Sequence, residues 1–218
     1  MGQARVVSVN VVHELIHGSR GSWSGIDKRP VSGRVRVGRL GVEGDVQYDK
    51  RYHGGPDQAV YAYAAEGAQW WAGEIGRDVP PGQLGENLTT QGVDVTGAVV
   101  GELWRVGSTL LQPVLPRIPC RKFAAYWAVP RLVKRFTERG DCGAYLRVLE
   151  EGDLAAGDAV EVVDRPAHGI TIGDLFRAQA GDRDLIHRIA ALDVLPDKMR
   201  TWAADIAAEP AEGAAEAG

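Results

Sequence analysis

Short runs of β-branched and apolar residues, separated by glycine-rich turns, dominate the first three quarters of the chain. Such runs are typical of short strands, and 28 glycines and 11 prolines supply the turns. The pattern favours a barrel or sandwich over a βαβ sheet. The predicted strands are Arg5–Val12, Val35–Val37, Ala59–Tyr63, Thr109–Val114, Ala144–Leu149 and Ala159–Val163.

Helical patterns interrupt this strand-rich region and then replace it. Glu66–Ile75 and Val129–Phe136 have helical composition or spacing. The adjacent Trp70 and Trp71 are predicted packing residues, with cofactor stacking as the alternative. Thr171–Asp174 has the form of a capping box and opens a helical region. We therefore expect a β domain at 1–166, a helical subdomain at 167–208 and a disordered tail at 209–218.

Composition excludes several classes of protein. A net charge of −4 argues against a general nucleic-acid binder, and no apolar run reaches the roughly 20 residues of a spanning helix. There is no P-loop, no nucleophile elbow and no GxGxxG after the first strand. The two cysteines form no CxxC pattern and are interpreted as reduced thiols. We expect a cytoplasmic protein with a small-molecule substrate and no membrane or nucleic-acid partner.

Cys120 is the leading candidate for chemistry. Two prolines stiffen its segment, Leu115–Lys122, and Arg117, Arg121 and Lys122 would favour the thiolate form of Cys120. A thiolate ligates metals or attacks electrophiles. The alternative is a small buried cysteine beside a basic turn. The segment alone leaves the two open.

Three further segments contain candidate binding residues. The loop that ends in His53, Gly54 and Gly55 exposes backbone N–H groups to an anionic or chelating cofactor, unless it is a plain hairpin. Glu86 and Asn87 follow a glycine and offer donors and acceptors, although Asn and Gly also make ordinary turns. Tyr145 and Arg147 lie two apart in a predicted strand and share a face, where Arg147 could hold a phosphate.

Taken in order, these segments resemble the MOSC family, named for the C-terminal domain of molybdenum-cofactor sulfurases. The resemblance covers about residues 25–165, and the helical end is similar to the bacterial subgroup known for 6-N-hydroxylaminopurine resistance. The residues that carry it are Gly44-Asp45, His53-Gly54-Gly55, Ala59–Tyr63, Trp70, Gly85–Leu88, Pro116–Lys122 around Cys120, Gly143–Val148, Glu151-Gly152 and Gly157-Asp158.

The resemblance implies a mainly β fold: a MOSC-type β-barrel with a few inserted helices and a small C-terminal helical appendage. It also implies that the site binds the molybdenum cofactor, a pterin whose sulfurs hold the metal. Cys120 would be a protein ligand of molybdenum. The residues that would hold the phosphate, orient the thiolate or line the pterin and substrate are Arg117, Lys122, Arg147, Tyr145, His53, Gly54, Gly55, Glu86 and Asn87.

The function implied is a reductase that converts N–OH to N–H in compounds such as 6-N-hydroxylaminopurine. Cys120 would tune the metal, and His53 would protonate the departing oxygen. Electrons would come from a separate donor reductase, because the chain has no flavin, haem or iron–sulfur motif. The alternatives are a molybdenum-cofactor carrier and a sulfur carrier with a Cys120 persulfide. Cys142 is interpreted as incidental or as a second thiol for Cys120. The oligomeric state is open, with a homodimer as one option.

Overall fold

A computed structural model describes residues 3–17, 23–48 and 54–209. Within these residues the chain forms eleven strands and six α-helices. The strands are β1 Arg5–His17, β2 Trp23–Pro30, β3 Val35–Gly38, β4 Gly41–Val42, β5 Val60–Ala64, β6 Leu88–Gln91, β7 Leu103–Val106, β8 Thr109–Pro116, β9 Ala144–Glu150, β10 Gly152–Leu154 and β11 Val160–Asp164. The helices are α1 Ala65–Ile75, α2 Arg121–Trp127, α3 Leu132–Arg139, α4 Ile172–Gln179, α5 Ile186–Ala190 and α6 Asp197–Ala208.

Eight strands form one sheet in the order β11-β7-β8-β9-β5-β6-β1-β2, and β10-β3-β4 form a second, small sheet. Pairing is antiparallel except between β5 and β6, which are parallel and joined through α1. This parallel pair needs a crossover, and α1 supplies it on one face of the sheet. The fold is therefore rich in strands, with helices inserted between them as the sequence predicts.

The predicted barrel is not confirmed. Among the described residues, β1, the second-last strand at one end of the large sheet, meets the segment before β11 at the other end in one isolated bridge, between Arg5 and Ala159. Backbone hydrogen bonds from Val6 N to Asp158 O and from Val160 N to Ala4 O, each 2.9 Å long, accompany it. No continuous ladder of strand pairs closes the sheet among the described residues. β1 instead forms a long antiparallel pairing with β2, which continues the sheet past the Arg5 and Ala159 bridge.

Two hydrophobic clusters form the interior. The larger lies within the large sheet and also takes in buried side chains of the last three helices, such as Phe176, Ile189 and Met199. The division at residue 166 stays a prediction, but these helices share their core with the strands. Asp174 closes the predicted capping box with Thr171 at the start of α4.

The second cluster is aromatic and joins β5 to α1, α2 and α3. Trp71 is 2% exposed and stacks on Phe136 with an interplanar angle of 3°, and its indole N–H donates to the Tyr63 hydroxyl at 3.2 Å. Trp70 is 41% exposed, with the Arg139 guanidinium 3.6 Å from its ring centroid. Trp71 is thus a packing residue as predicted. No helix among the described residues is long and apolar enough to cross a membrane.

Candidate functional site

A pocket opens where β2, the loop after β4, the turn before β6 and the start of α2 come together. Its empty volume is about 720 Å³, including the open mouth. The aromatic cluster packs behind the wall formed by β5, β9 and α2. The lining residues are Trp23, Ser24, Gly25, Ile26, Lys28, Asp45, Val46, Gln47, Tyr48, Gly54, Gln58, Tyr61, Leu84, Gly85, Asn87, Arg117, Cys120, Lys122 and Tyr145.

Cys120 lies on the pocket wall at the N-cap position of α2. The prolines before it keep this segment out of the helix, and its backbone is extended with φ −121° and ψ 171°. Its carbonyl oxygen accepts the first hydrogen bond of the helix, from Ala124 N at 3.1 Å. The residue is partly exposed, whereas Cys142 is fully buried. The interpretation of Cys120 as an accessible thiol is consistent with this position.

Arg117 is a buried cation at the same wall. The residue is 5% exposed, and its guanidinium carbon lies 4.3 Å from the ring centroid of Phe123 and 5.9 Å from that of Tyr61. Its Nη1 is fully buried and has no hydrogen-bond partner among the described residues. A buried donor without an acceptor is costly. The buried Nη1 of Arg117 is therefore the donor of this wall that most needs an acceptor.

Lys28 is a second buried cation of the pocket and was not predicted from the sequence. It is 7% exposed and its ammonium group pairs with the Asp45 carboxylate. Burial lowers the pKa of Lys28, and the negative charges of Asp45 and Glu86 oppose this effect. The one signal in the sequence is the mixed polar and apolar pattern of β2. It does not indicate a buried lysine, because a single lysine in such a strand is ordinarily solvated.

A polar network holds the Lys28 partner in place. Asp45 accepts from Val12 N at 2.9 Å and from the Asn87 side-chain amide at 2.8 Å. The Asn87 side-chain oxygen accepts from Tyr61 N at 3.1 Å, and its amide also donates to Asn10 O at 3.2 Å. Asn87 thus lines the pocket, as predicted, while fixing strand β5 and Asp45.

Lys122 and Tyr145 also line the pocket wall, and their predicted role in cofactor binding stays a prediction. Lys122 Nζ donates to Trp23 O at 3.3 Å, which ties α2 to β2 across the mouth. Burial raises the pKa of Tyr145; the charge of Arg117 opposes this shift and the charge of Cys120 adds to it. Tyr145 is thus electrostatically coupled to both Arg117 and Cys120.

The structure places two predicted residues away from the pocket. Glu86 is 1% exposed and lies behind the wall, where its carboxylate accepts from Gly82 N at 2.6 Å and from Leu84 N at 3.0 Å. Arg147 donates to Asp57 Oδ1 at 2.8 Å. Neither lines the pocket. Glu86 holds the turn before β6, because its charge satisfies backbone donors that would otherwise be buried without partners.

The glycine loop is divided between two surfaces. Gly54 lines the pocket and also a neighbouring groove, whereas Gly55 lines only the groove. Both have positive φ, 113° and 87°, which glycine adopts without strain. His53 lies outside the described residues. Among the residues that are described, no group of three or more His, Cys, Asp or Glu could hold a metal ion, so the predicted metal ligation rests on Cys120 alone.

The second cysteine differs from the first in its surroundings. Burial, followed by the negative charge of Asp141, raises the pKa of the Cys142 thiol to about 12. The thiol donates to Gly143 O at 3.2 Å. These surroundings favour an inert thiol, in agreement with the interpretation of Cys142 as incidental.

Comparisons with known proteins place this fold and pocket in a family. The MOSC domain model matches residues 49–161, which is more than half of the chain. The uncharacterized protein YflK of Bacillus subtilis (strain 168) is 37% identical over 149 residues, 68% of this chain and 67% of YflK. A protein of Gibberella moniliformis (strain M3125 / FGSC 7600) named "Reductase" is 32% identical over 151 residues. That match covers 66% of this chain and only 26% of the fungal protein.

A solved structure extends the similarity to nearly the whole chain. The crystal structure of YiiM from Geobacillus stearothermophilus superposes with a TM-score of 0.79 and 29% identity. The match covers 93% of this chain and 98% of that one, so the C-terminal helices belong to the shared fold. The sequence, the fold and the pocket lead to one conclusion: the chain belongs to the MOSC domain family.

Proposed function

We propose that this protein binds the molybdenum cofactor in the Cys120 pocket and uses it to reduce N-hydroxylated compounds such as 6-N-hydroxylaminopurine. The observation that carries the proposal is the buried Nη1 of Arg117, a donor without an acceptor among the described residues, in the same pocket as the partly exposed Cys120. MOSC domains are generally associated with this cofactor. The reductase name of the fungal relative supports an oxidoreductase.

The residues of the pocket fit the cofactor chemically. Its phosphate needs cationic partners, and Arg117 and Lys122 line the wall. Lys28 is paired with Asp45, whereas Arg117 and Lys122 bring two further cations to the α2 end of the pocket. Cys120 offers a soft sulfur ligand of the kind that suits molybdenum. Arg117 and Lys122 would hold the phosphate, and Cys120 would hold the metal.

The cofactor, when bound, would supply two-electron redox chemistry. The overall reaction is R–NHOH + 2e⁻ + 2H⁺ → R–NH₂ + H₂O. The chain's own contribution is to bind the substrate beside Cys120, to exclude bulk water with the aromatic wall of Tyr61 and Tyr145, and to deliver protons. A separate electron-donor reductase would supply the electrons.

The first experiment is to purify the wild-type protein from a host that makes molybdenum cofactor and to measure bound molybdenum and pterin. We expect near-stoichiometric amounts of both, and loss of molybdenum in Cys120→Ala. Cys142→Ala is the matched control and should keep both, because Cys142 does not line the pocket. Reduction of 6-N-hydroxylaminopurine with a chemical electron donor is assayed next.

Other results of this experiment would favour a different function. Full cofactor content with no turnover, whichever donor is used, would favour a cofactor carrier. A metal-free wild type with one added sulfur atom on Cys120, seen by mass spectrometry, would favour a sulfur carrier. A metal-free wild type without added sulfur would overturn both the cofactor and the persulfide proposals.

A further inference from the structure

Lys28 is the most unusual charged residue of the pocket. Lysine is almost never fully buried unless its charge is paired, yet Lys28 is 7% exposed and faces the cavity from β2. Asp45, at 4% side-chain exposure, is its ion-pair partner. Two neighbours hold Asp45 in turn, Val12 N at 2.9 Å and the Asn87 amide at 2.8 Å. The position of the Lys28 ammonium is therefore set by a chain of contacts rather than by solvent.

Holding an anion is a weaker explanation of this arrangement. One carboxylate already pairs with the one positive charge of Lys28, whereas Arg117 has a buried donor that finds no acceptor in the part of the chain that the structure describes. Burial favours release of a proton from an ammonium group because it disfavours the charged form, although the Asp45 carboxylate opposes this effect at Lys28. Burial does lower the pKa of Lys28 below its ordinary value.

The two buried tyrosines of the wall are poorer proton donors at neutral pH than an ordinary tyrosine. Burial raises the pKa of Tyr61 and of Tyr145 above that of an ordinary tyrosine. Glu86 lies behind the wall and is engaged by backbone N–H groups. The charged and titratable groups of the pocket and the network behind it are Asp45 and Tyr48 after β4, Tyr61 on β5, Glu86 before β6, Arg117, Cys120 and Lys122 around the start of α2, and Tyr145 on β9.

We propose that Lys28, held by Asp45, is the general acid that protonates the departing hydroxyl of an N-hydroxylated substrate. This inference rests on the proposed function. The cofactor, when bound, would supply the two electrons from the separate donor with which the N–O bond breaks. A proton moves from Lys28 Nζ to the oxygen, which leaves as water, and a second proton from solvent completes the N–H bond. Lys28 then regains a proton from solvent through the pocket mouth.

Lys28→Arg separates acid catalysis from charge. Arginine keeps the positive charge and the Asp45 pair but does not release a proton at neutral pH. We expect kcat to fall at least about 100-fold with little change in KM, the range of effect typical of a general acid. Molybdenum and pterin content and the Tm should stay at the wild-type level. Lys198→Arg, at an exposed position in α6, is the matched control and should behave as wild type.

The pH profile gives a second readout. Wild-type kcat should fall on the alkaline side as Lys28 loses its proton, and this limb should be missing in Lys28→Arg. A profile in which His53→Ala removes the limb while Lys28→Arg keeps it would overturn the inference in favour of His53. Wild-type turnover in Lys28→Arg would overturn it as well, whereas a loaded wild type that reduces no N-hydroxylated compound would overturn the proposed function instead.

Two measurements guard against a Lys28→Arg variant that does not fold. Ethylamine, which can fill the space left in Lys28→Ala and donate a proton, should restore turnover, whereas an equal concentration of tetramethylammonium should not. Equal rescue by both, or by neither, contradicts acid catalysis. The chain has five lysines, so a ¹³C NMR titration of labelled lysine in the cofactor-free protein is simple to assign, and a Lys28 that titrates at or above the ordinary lysine pKa would also contradict it.

Discussion

Replacing Arg117 with methionine should stabilise the cofactor-free protein while abolishing cofactor binding. Arg117 is 5% exposed, and its Nη1 has no acceptor among the described residues. A buried donor left without a partner costs about 1–3 kcal/mol, and replacing buried charges by apolar residues of similar size often gains about 1–4 kcal/mol. The cation–π contact with Phe123, at 4.3 Å, and the side-chain hydrogen bond to Tyr145 are lost, and each offsets about 0.5–2 kcal/mol of that gain.

The net expectation is a gain of about 1–2 kcal/mol in the free energy of unfolding. For a chain of this size that corresponds to a rise of about 2–8 °C in Tm. The assay is thermal and urea unfolding of protein made in a host that lacks molybdenum cofactor. Arg121→Met, one helix position beyond Cys120 and exposed, is the control and should change Tm little. In a cofactor-producing host, Arg117→Met should carry no pterin.

The result that refutes this reasoning is a cofactor-free Arg117→Met protein that unfolds at a lower temperature than wild type. That outcome would mean that the guanidinium is satisfied without a ligand, so that Arg117 is a structural residue. Equal pterin content in both proteins would likewise remove Arg117 from the cofactor site.

Three further outcomes test the structure elsewhere. An alkylating reagent at pH 8 should modify Cys120 in the native, cofactor-free protein and leave Cys142 unmodified until the chain is denatured. The reason is that a pKa of about 12 leaves almost no thiolate at Cys142. Mass spectrometry of both cysteines measures the outcome, and labelling of Cys142 in the native protein would contradict its burial. In urea titrations, Trp71→Ala should lower the free energy of unfolding by about 3–5 kcal/mol, whereas Trp70→Ala, at an exposed position, should change it by less than about 1 kcal/mol. Similar losses of stability in the two variants would contradict the packing described for Trp71. Thr171→Ala should cost about 1 kcal/mol through loss of the α4 cap, and an unchanged urea midpoint would mean that the cap is dispensable.

Local signals in the sequence predicted the strands with regular patterns and the ends of several helices. Two strands, Val60–Ala64 and Ala144–Glu150, lie within one residue of their predicted bounds. Their adjacent β-branched and aromatic residues favour strands over other secondary structure. β2 was missed. Its sequence, Trp23–Pro30, is mostly polar, and it becomes a strand because the long β1 offers it a pairing edge. The barrel was overpredicted for a related reason, since closure depends on pairing between distant strands.

In the candidate site, too, the sequence predicted what depends on neighbouring residues and missed what depends on distant ones. Cys120, Arg117 and Lys122 were predicted together, because they are close neighbours in a stiff segment and their chemistry is readable without a fold. Tyr145 and Arg147 were expected to act together, but only Tyr145 lines the pocket, while Asp57 engages Arg147. Lys28 was missed because burial, not residue type, makes it unusual.

The sequence by itself determined the family, the stiff basic segment around Cys120 and the strand-rich character of the chain. These features depend on residue type and on neighbours within a few positions, which a single sequence displays directly. Only the tertiary structure decided which charges are buried and which are paired: the Lys28 and Asp45 pair joins residues 17 apart, and Glu86 turns away from the pocket. Desolvation and ion pairing arise when distant segments exclude water together, so no local pattern encodes them.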